Sequence, residues 1–93
     1  MMSKIEKELT VVNKKGLHAR PAALFVSLVE KFDVTVTLAK GPEVVNGKSI
    51  MGILMLGAVE GTVLKITVEG AEAVEAMAEF KKFFNKQEEE LVL

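Results

Sequence analysis

Cysteine, tryptophan and tyrosine are all missing from the 93 residues, and histidine occurs once. Without cysteine there is no disulfide framework and no thiolate metal site, and nothing argues for an oxidising compartment. With no second histidine, and with the acidic residues grouped in distant helical segments, a metal centre is disfavoured too. Charge of one sign is also lacking: 12 lysine and arginine residues stand against 13 aspartate and glutamate residues, for a net charge of −1. Such a balance offers no electrostatic attraction to nucleic acid. Long hydrophobic runs are absent as well. The longest, IMGILMLGAV at 50–59, is too short to cross a bilayer, and MMSKIEKELT lacks the apolar centre of a secretory signal. The expectation is a cytoplasmic protein with no membrane contact.

What is present is core-forming material. Hydrophobic residues make up 49% of the chain, enough for one packed domain over 1–93. Ile5, Leu9 and Val11 share one side of an extended segment over 5–12, with Lys7 interrupting, as in a half-buried strand near a sheet edge. From Ala19 to Phe32 the spacing becomes helical, with Phe25, Leu28, Val29 and Phe32 on one face and Pro21 in the first turn. VTVTLA at 34–39 alternates as a strand with one buried face, KGPE is turn chemistry, and VVNG returns as the second arm of a hairpin.

Ser49 can cap a short helix, IMGILML, ended by Gly57; Gly52 inside it costs about 1 kcal/mol relative to alanine, so the helix needs tertiary support. Leu64, Ile66 and Val68 alternate with Lys65, Thr67 and Glu69 in another strand over 62–70. Ala73, Met77, Phe80 and Phe84 recur at helical spacing, with Glu72, Glu75 and Glu79 ahead of Lys81, Lys82 and Lys86 in the sense that complements the helix dipole. The tail KQEEELVL has no identifiable partner and is expected to fray. The order βαββαβα, with amphipathic strands, predicts an α+β open-faced β-sandwich: a four-stranded antiparallel sheet with three helices packed on one face.

The single histidine falls where the first helix begins. His18 takes its N-cap position, beside backbone N–H donors and the positive end of the dipole, although Ser, Thr, Asp or Asn would cap better. A neutral imidazole there offers a lone pair as nucleophile. A phosphoryl group placed on it would meet the helix N–H donors and the planar guanidinium of Arg20. Reversible phosphorylation is a coherent use of these groups. A Ser-His-Asp hydrolase is not, since the chain has no nucleophile elbow. Pro21 presets the first turn, and Gly16 serves the conformation of the preceding loop. Beyond Ser49, Ile50, Met51 and Leu54 form an exposed apolar group suited to docking, while Ile53 and Leu56 serve the core.

GLHARPAA at 16–23 together with NGKSIMGILMLG at 46–57 resembles the HPr family, the histidine-containing phosphocarriers of the bacterial phosphoenolpyruvate-dependent sugar phosphotransferase system. The resemblance covers essentially the whole chain. It implies that His18 accepts a phosphoryl group on Nδ1 from phosphorylated enzyme I, with Arg20 stabilising it, and passes it to the EIIA domain of a sugar permease. The role is a carrier's rather than an enzyme's, and it requires no cofactor or metal. KSIMG looks like the Gram-positive form of the motif, which implies that Ser49 is phosphorylated by HPr kinase/phosphorylase and answers to a catabolite-control transcription factor. Ala19 stands where many members carry threonine, and Ser27 and Glu30 where some carry lysine, which bears on partner affinity rather than on the chemistry. The mechanism needs no second copy, so a monomer is expected.

Two other functions compete. A regulatory module would act through Ser49 and the apolar patch alone, but regulatory paralogues in the family can lack the histidine that this chain carries. A ferredoxin-like RNA-binding domain would share a similar element order, yet phenylalanine is the only aromatic type and all five fall in predicted helices.

Overall fold

The computed structural model describes residues 2–87. These residues form β1 (Ser3–Thr10), α1 (Ala19–Val29), β2 (Thr35–Lys40), β3 (Glu43–Asn46), α2 (Ile50–Met55), β4 (Val63–Gly70) and α3 (Ala73–Phe84). The strands lie in one sheet in the order β1-β4-β2-β3, and every pairing is antiparallel.

The alternation in the strands decides which face is covered. Leu64, Ile66 and Val68 of β4 and Val36 and Leu38 of β2 are buried in one core with Phe25, Val29, Ile53, Ala76 and Phe80 from the helices. On the opposite face Thr35, Thr37, Lys65 and Glu69 are exposed, and Lys65 lies 3.8 Å from Glu6 across the sheet. A solvated ion pair of that kind contributes little stability. The helices therefore occupy one face and the other is wet, as the sequence pattern predicts. β1 is an edge strand, again as expected, and Ile5 and Leu9 pack partly on the core opposite Val68 and Leu64. Lys7, on the same side opposite Ile66, remains exposed. A charge at that place discourages a further strand from joining.

Most element ends differ from the sequence expectation by a residue, and those of β1 and α1 differ by more. β1 starts at Ser3 and stops at Thr10, yet Val11 continues to be held, donating to the Thr62 carbonyl (2.9 Å) and accepting from Gly61 N–H (2.8 Å). α1 stops at Val29 rather than Phe32: the Lys31 and Phe32 amides bond to Leu28 and Val29, three residues back, so the last turn tightens. The chain then turns into Asp33, whose N–H donates to Glu72 Oε1 at 2.7 Å. Phe32 leaves the helix but keeps its predicted core contact, edge-on to Phe80 with ring centroids 6.1 Å apart. Glu72 is the N-cap residue of α3, but its carboxylate spans to this turn rather than capping its own helix.

α3 needs little help. Met77, Phe80 and Phe84 are buried, Glu75 lies in its first turn, and Lys81 and Lys82 lie in its last. Phe25 of α1 meets Phe80, Phe83 and Phe84 at centroid distances of 5.1–5.5 Å, tilted or edge-on, the geometry aromatic quadrupoles prefer. Of the tail expected to be without a partner, Gln87 has partners: its Oε1 accepts from Lys14 N–H (3.3 Å) and its Nε2 donates to the Val12 carbonyl (2.8 Å). The remainder, 88–93, lies outside the described residues.

Candidate functional site

α1 begins where the sequence places it. Ala22 N–H donates to the His18 carbonyl (3.0 Å), which makes His18 the N-cap residue, and its φ of −89° and ψ of −168° are extended. Its side chain makes no capping hydrogen bond. The half-buried ring is thus not spent on capping the helix, and the first-turn amides have no intrahelical acceptor. Arg20, exposed, lies two residues on at the same end. Pro21 follows, fully buried; its fixed φ suits the first turn, and the N–H it lacks is one that no intrahelical carbonyl would have met.

The loop that presents His18 is built from backbone. Asn13 Oδ1 accepts from Lys15 N–H (3.1 Å) and the Asn13 carbonyl from Gly16 N–H (2.9 Å), a compact turn stabilised by its own side chain. Gly16 has φ +72°, and a Cβ there would stand 2.5 Å from the Ala58 carbonyl oxygen. Conformation and space both demand glycine. Its neighbour Leu17 is buried and donates to that same Ala58 carbonyl at 2.9 Å. The segment following α2 is in this way stitched to the segment preceding α1, which places the exposed end of α2 beside the histidine loop.

α2 is the short helix the sequence anticipates. Ser49 Oγ accepts from Gly52 N–H at 2.9 Å, and Gly57 follows the helix at φ +60°. Gly52 is explained by close approach: a Cβ would come within 3.1 Å of Ser49 Oγ and 3.2 Å of Val45 Cβ, so a bare backbone lets α2 settle against β3. Ile53 and Leu56 are buried as predicted, Leu54 packs partly against the core, and Ile50 and Met51 are exposed, Met51 at 67%. Ser49 caps the end of α2 remote in sequence from the Ala58 junction.

Three contributors escape sequence reasoning. Met55 is 74% exposed and Val59 is exposed beyond the helix, so the apolar surface extends toward the histidine loop. The i, i+4 spacing of Met51 and Met55 was a usable signal for the first. Lys40 Nζ donates to the Leu56 carbonyl at 2.7 Å, satisfying a C-terminal acceptor of α2 from the end of β2. No local pattern announces that contact. Among the described residues, no group of three or more metal-ligating side chains comes together, and no helix is long and apolar enough to cross a membrane.

The comparisons agree with this arrangement. The family model for the HPr component phosphorylation site of the phosphotransferase system matches residues 5–86. The chain is 41% identical over 83 residues to the phosphocarrier protein HPr of Xylella fastidiosa, covering 89% of this chain and 93% of that one. It is 41% identical over 87 residues to the phosphocarrier protein HPr of Treponema pallidum, covering 92% and 99%. The crystal structure of a phosphocarrier protein HPr from Bacillus anthracis superposes with a TM-score of 0.84 at 38% identity, covering 89% of this chain and 99% of that one. Sheet order, helix placement and sequence together define a phosphocarrier of the phosphotransferase class rather than an enzyme of the usual kind. The chain belongs to the HPr family.

Proposed function

We propose that this protein carries a phosphoryl group on Nδ1 of His18, taking it from phosphorylated enzyme I and delivering it to EIIA domains of sugar permeases. The observation that carries this reading is the N-cap histidine whose side chain makes no capping bond, at a helix end with Arg20 two residues on. In the transfer, the Nδ1 lone pair forms the new N–P bond as the donor's bond to the same phosphorus breaks. Nothing is oxidised and water takes no part. The amide donors of the first turn and the Arg20 guanidinium stabilise the equatorial oxygens, over which the charge of the transferring group is spread in the transition state. The half-exposed position lets a donor and then an acceptor reach the same ring, and both use Ile50, Met51, Leu54 and Met55 as a docking surface.

The reading includes a monomer, working in the cytoplasm, with 1–93 as one carrier domain. It is supported by the family match and by the geometry at α1. Its test is phosphorus NMR of the protein incubated with phosphoenolpyruvate, magnesium and enzyme I. An acid-labile phosphohistidine signal, absent in His18→Ala, is expected; the same signal surviving in that variant overturns the assignment.

Ser49 supports a second, regulatory reading. Its hydroxyl lies at the N-terminus of α2, where a phosphate is favoured by the dipole and leaves the helix folded. Phosphorylated by HPr kinase/phosphorylase, Ser49 would place two negative charges beside the docking surface, opposing acidic partners and admitting a catabolite-control transcription factor. ATP-dependent labelling that Ser49→Ala removes is the expected result, and labelling retained elsewhere refutes it.

A further inference from the structure

The backbone leading into His18 is fixed at almost every residue, and one of its supports comes from beyond the last helix. Val11 is held by Gly61 and Thr62, Lys15 and Gly16 by Asn13, and Leu17 by Ala58. The gap between these supports, Val12 to Lys14, is spanned by a single carboxamide. Gln87 donates from Nε2 to the Val12 carbonyl at 2.8 Å and accepts at Oε1 from Lys14 N–H at 3.3 Å. Carbonyl and amide two residues apart are the pair that a neighbouring strand would otherwise engage, so the Gln87 side chain stands in for a strand. Gln87 lies one residue past the stretch that the family model matches.

We propose that Gln87 is a positioning residue for phosphoryl transfer. By fixing Val12 and Lys14 it completes the rigid path from the sheet to His18 and holds the imidazole in the orientation from which Nδ1 is presented to the donor. This rests on the reading of His18 as the phosphoacceptor. The physical reason to expect an effect at such range is that transfer is chiefly a matter of alignment, and small displacements of a reacting group are costly. Chain closure adds to it: the carboxamide joins residues 73 and 75 positions apart, so its loss frees the loop and the end of α3 together.

The test is Gln87→Met, which keeps the length and most of the volume but can neither accept from Lys14 nor donate to Val12. Amide hydrogen exchange at Lys14 reports the clamp directly, and steady-state transfer from enzyme I reports its consequence. The expected result is exchange at Lys14 faster by about tenfold, with the maximal transfer rate lower by a similar factor and KM for enzyme I unchanged, since the docking side chains are intact. A merely structural residue would lower the unfolding midpoint without altering the maximal rate at a temperature where the variant is fully folded. Lys86→Ala, beside the clamp, serves as the control and is expected to leave rate and exchange at wild-type values. Faster exchange with an unaltered transfer rate overturns the positioning role, and unaltered exchange overturns the clamp itself. Failure of the wild-type protein to be labelled at all would instead strike the carrier reading, which the exchange measurement distinguishes.

Discussion

The starts of α1 and α2 make an instructive pair. Both helices begin from an extended residue whose carbonyl accepts the first helical bond, from Ala22 in one and Ile53 in the other. At α2 the cap is Ser49, and its hydroxyl closes the helix by accepting from Gly52 N–H. At α1 the cap is His18, a residue seldom preferred there, and its ring makes no such bond. A six-residue helix leans on its cap more than a long one does, because so few propagation steps recover little of the cost of nucleation. An 11-residue helix with Pro21, Ala22, Phe25, Val26 and Val29 buried leans on it less. On the carrier reading, the difference teaches where a protein of this size can place chemistry: on the helix end whose stability is supplied by packing.

Substitutions that exchange the two roles break or sharpen this contrast. The largest effect is expected of His18→Asn, which gives α1 a conventional cap: phosphoryl acceptance disappears from the phosphorus spectrum, while the urea midpoint rises by the equivalent of about 0.5–1 kcal/mol. Loss of stability in that variant would show that the ring contributes to folding after all. Next is Gly16→Ala, expected to cost about 2–3 kcal/mol in urea unfolding, from left-handed strain and displacement of the Ala58 carbonyl that Leu17 uses. Transfer should fall with it because the loop presenting His18 moves.

Ser49→Ala should cost about 1 kcal/mol in the same assay, the ordinary value of a capping hydroxyl, and leave phosphoryl transfer within about twofold. A much smaller loss would mean that Lys40, bonded to the Leu56 carbonyl, holds α2 from its other end. Smallest in stability is Met55→Ser, expected within about 0.5 kcal/mol of wild type because the side chain is exposed. Its effect should appear as a raised KM for enzyme I with an unchanged maximal rate.

β2 and β4 were legible because each presents one wet and one dry face, and a two-residue period survives small errors of boundary. Leu64, Ile66 and Val68 settle the orientation of β4 alone. His18 as cap was legible from GLHARP, since Pro21 pins the helix start. Phe32 shows what periodicity misjudges: its spacing is helical and its burial real, but the backbone beneath it has already turned. The pattern records which side chains face the core, not which backbone brings them there. Gln87 and Lys40 were illegible for a related reason. Each acts through a polar side-chain atom on the backbone of a distant segment, and such a bond leaves no trace in composition or spacing.

The sheet order carries a kinetic consequence. β1 pairs only with β4, setting Ser3 opposite Gly70, so the first strand of the chain finds its place only after the fourth exists. Closing so long a loop is entropically slow, and mixed folds of this kind form their most distant pairings against that cost. The β2–β3 hairpin and the α3 turns need only local contacts, whereas the segment bearing His18, strung between β1 and α1, is anchored at its β1 end only once β1 has paired with β4. On the carrier reading proposed above, a nascent chain would thus be unable to accept a phosphoryl group until its final strand and helix had been made.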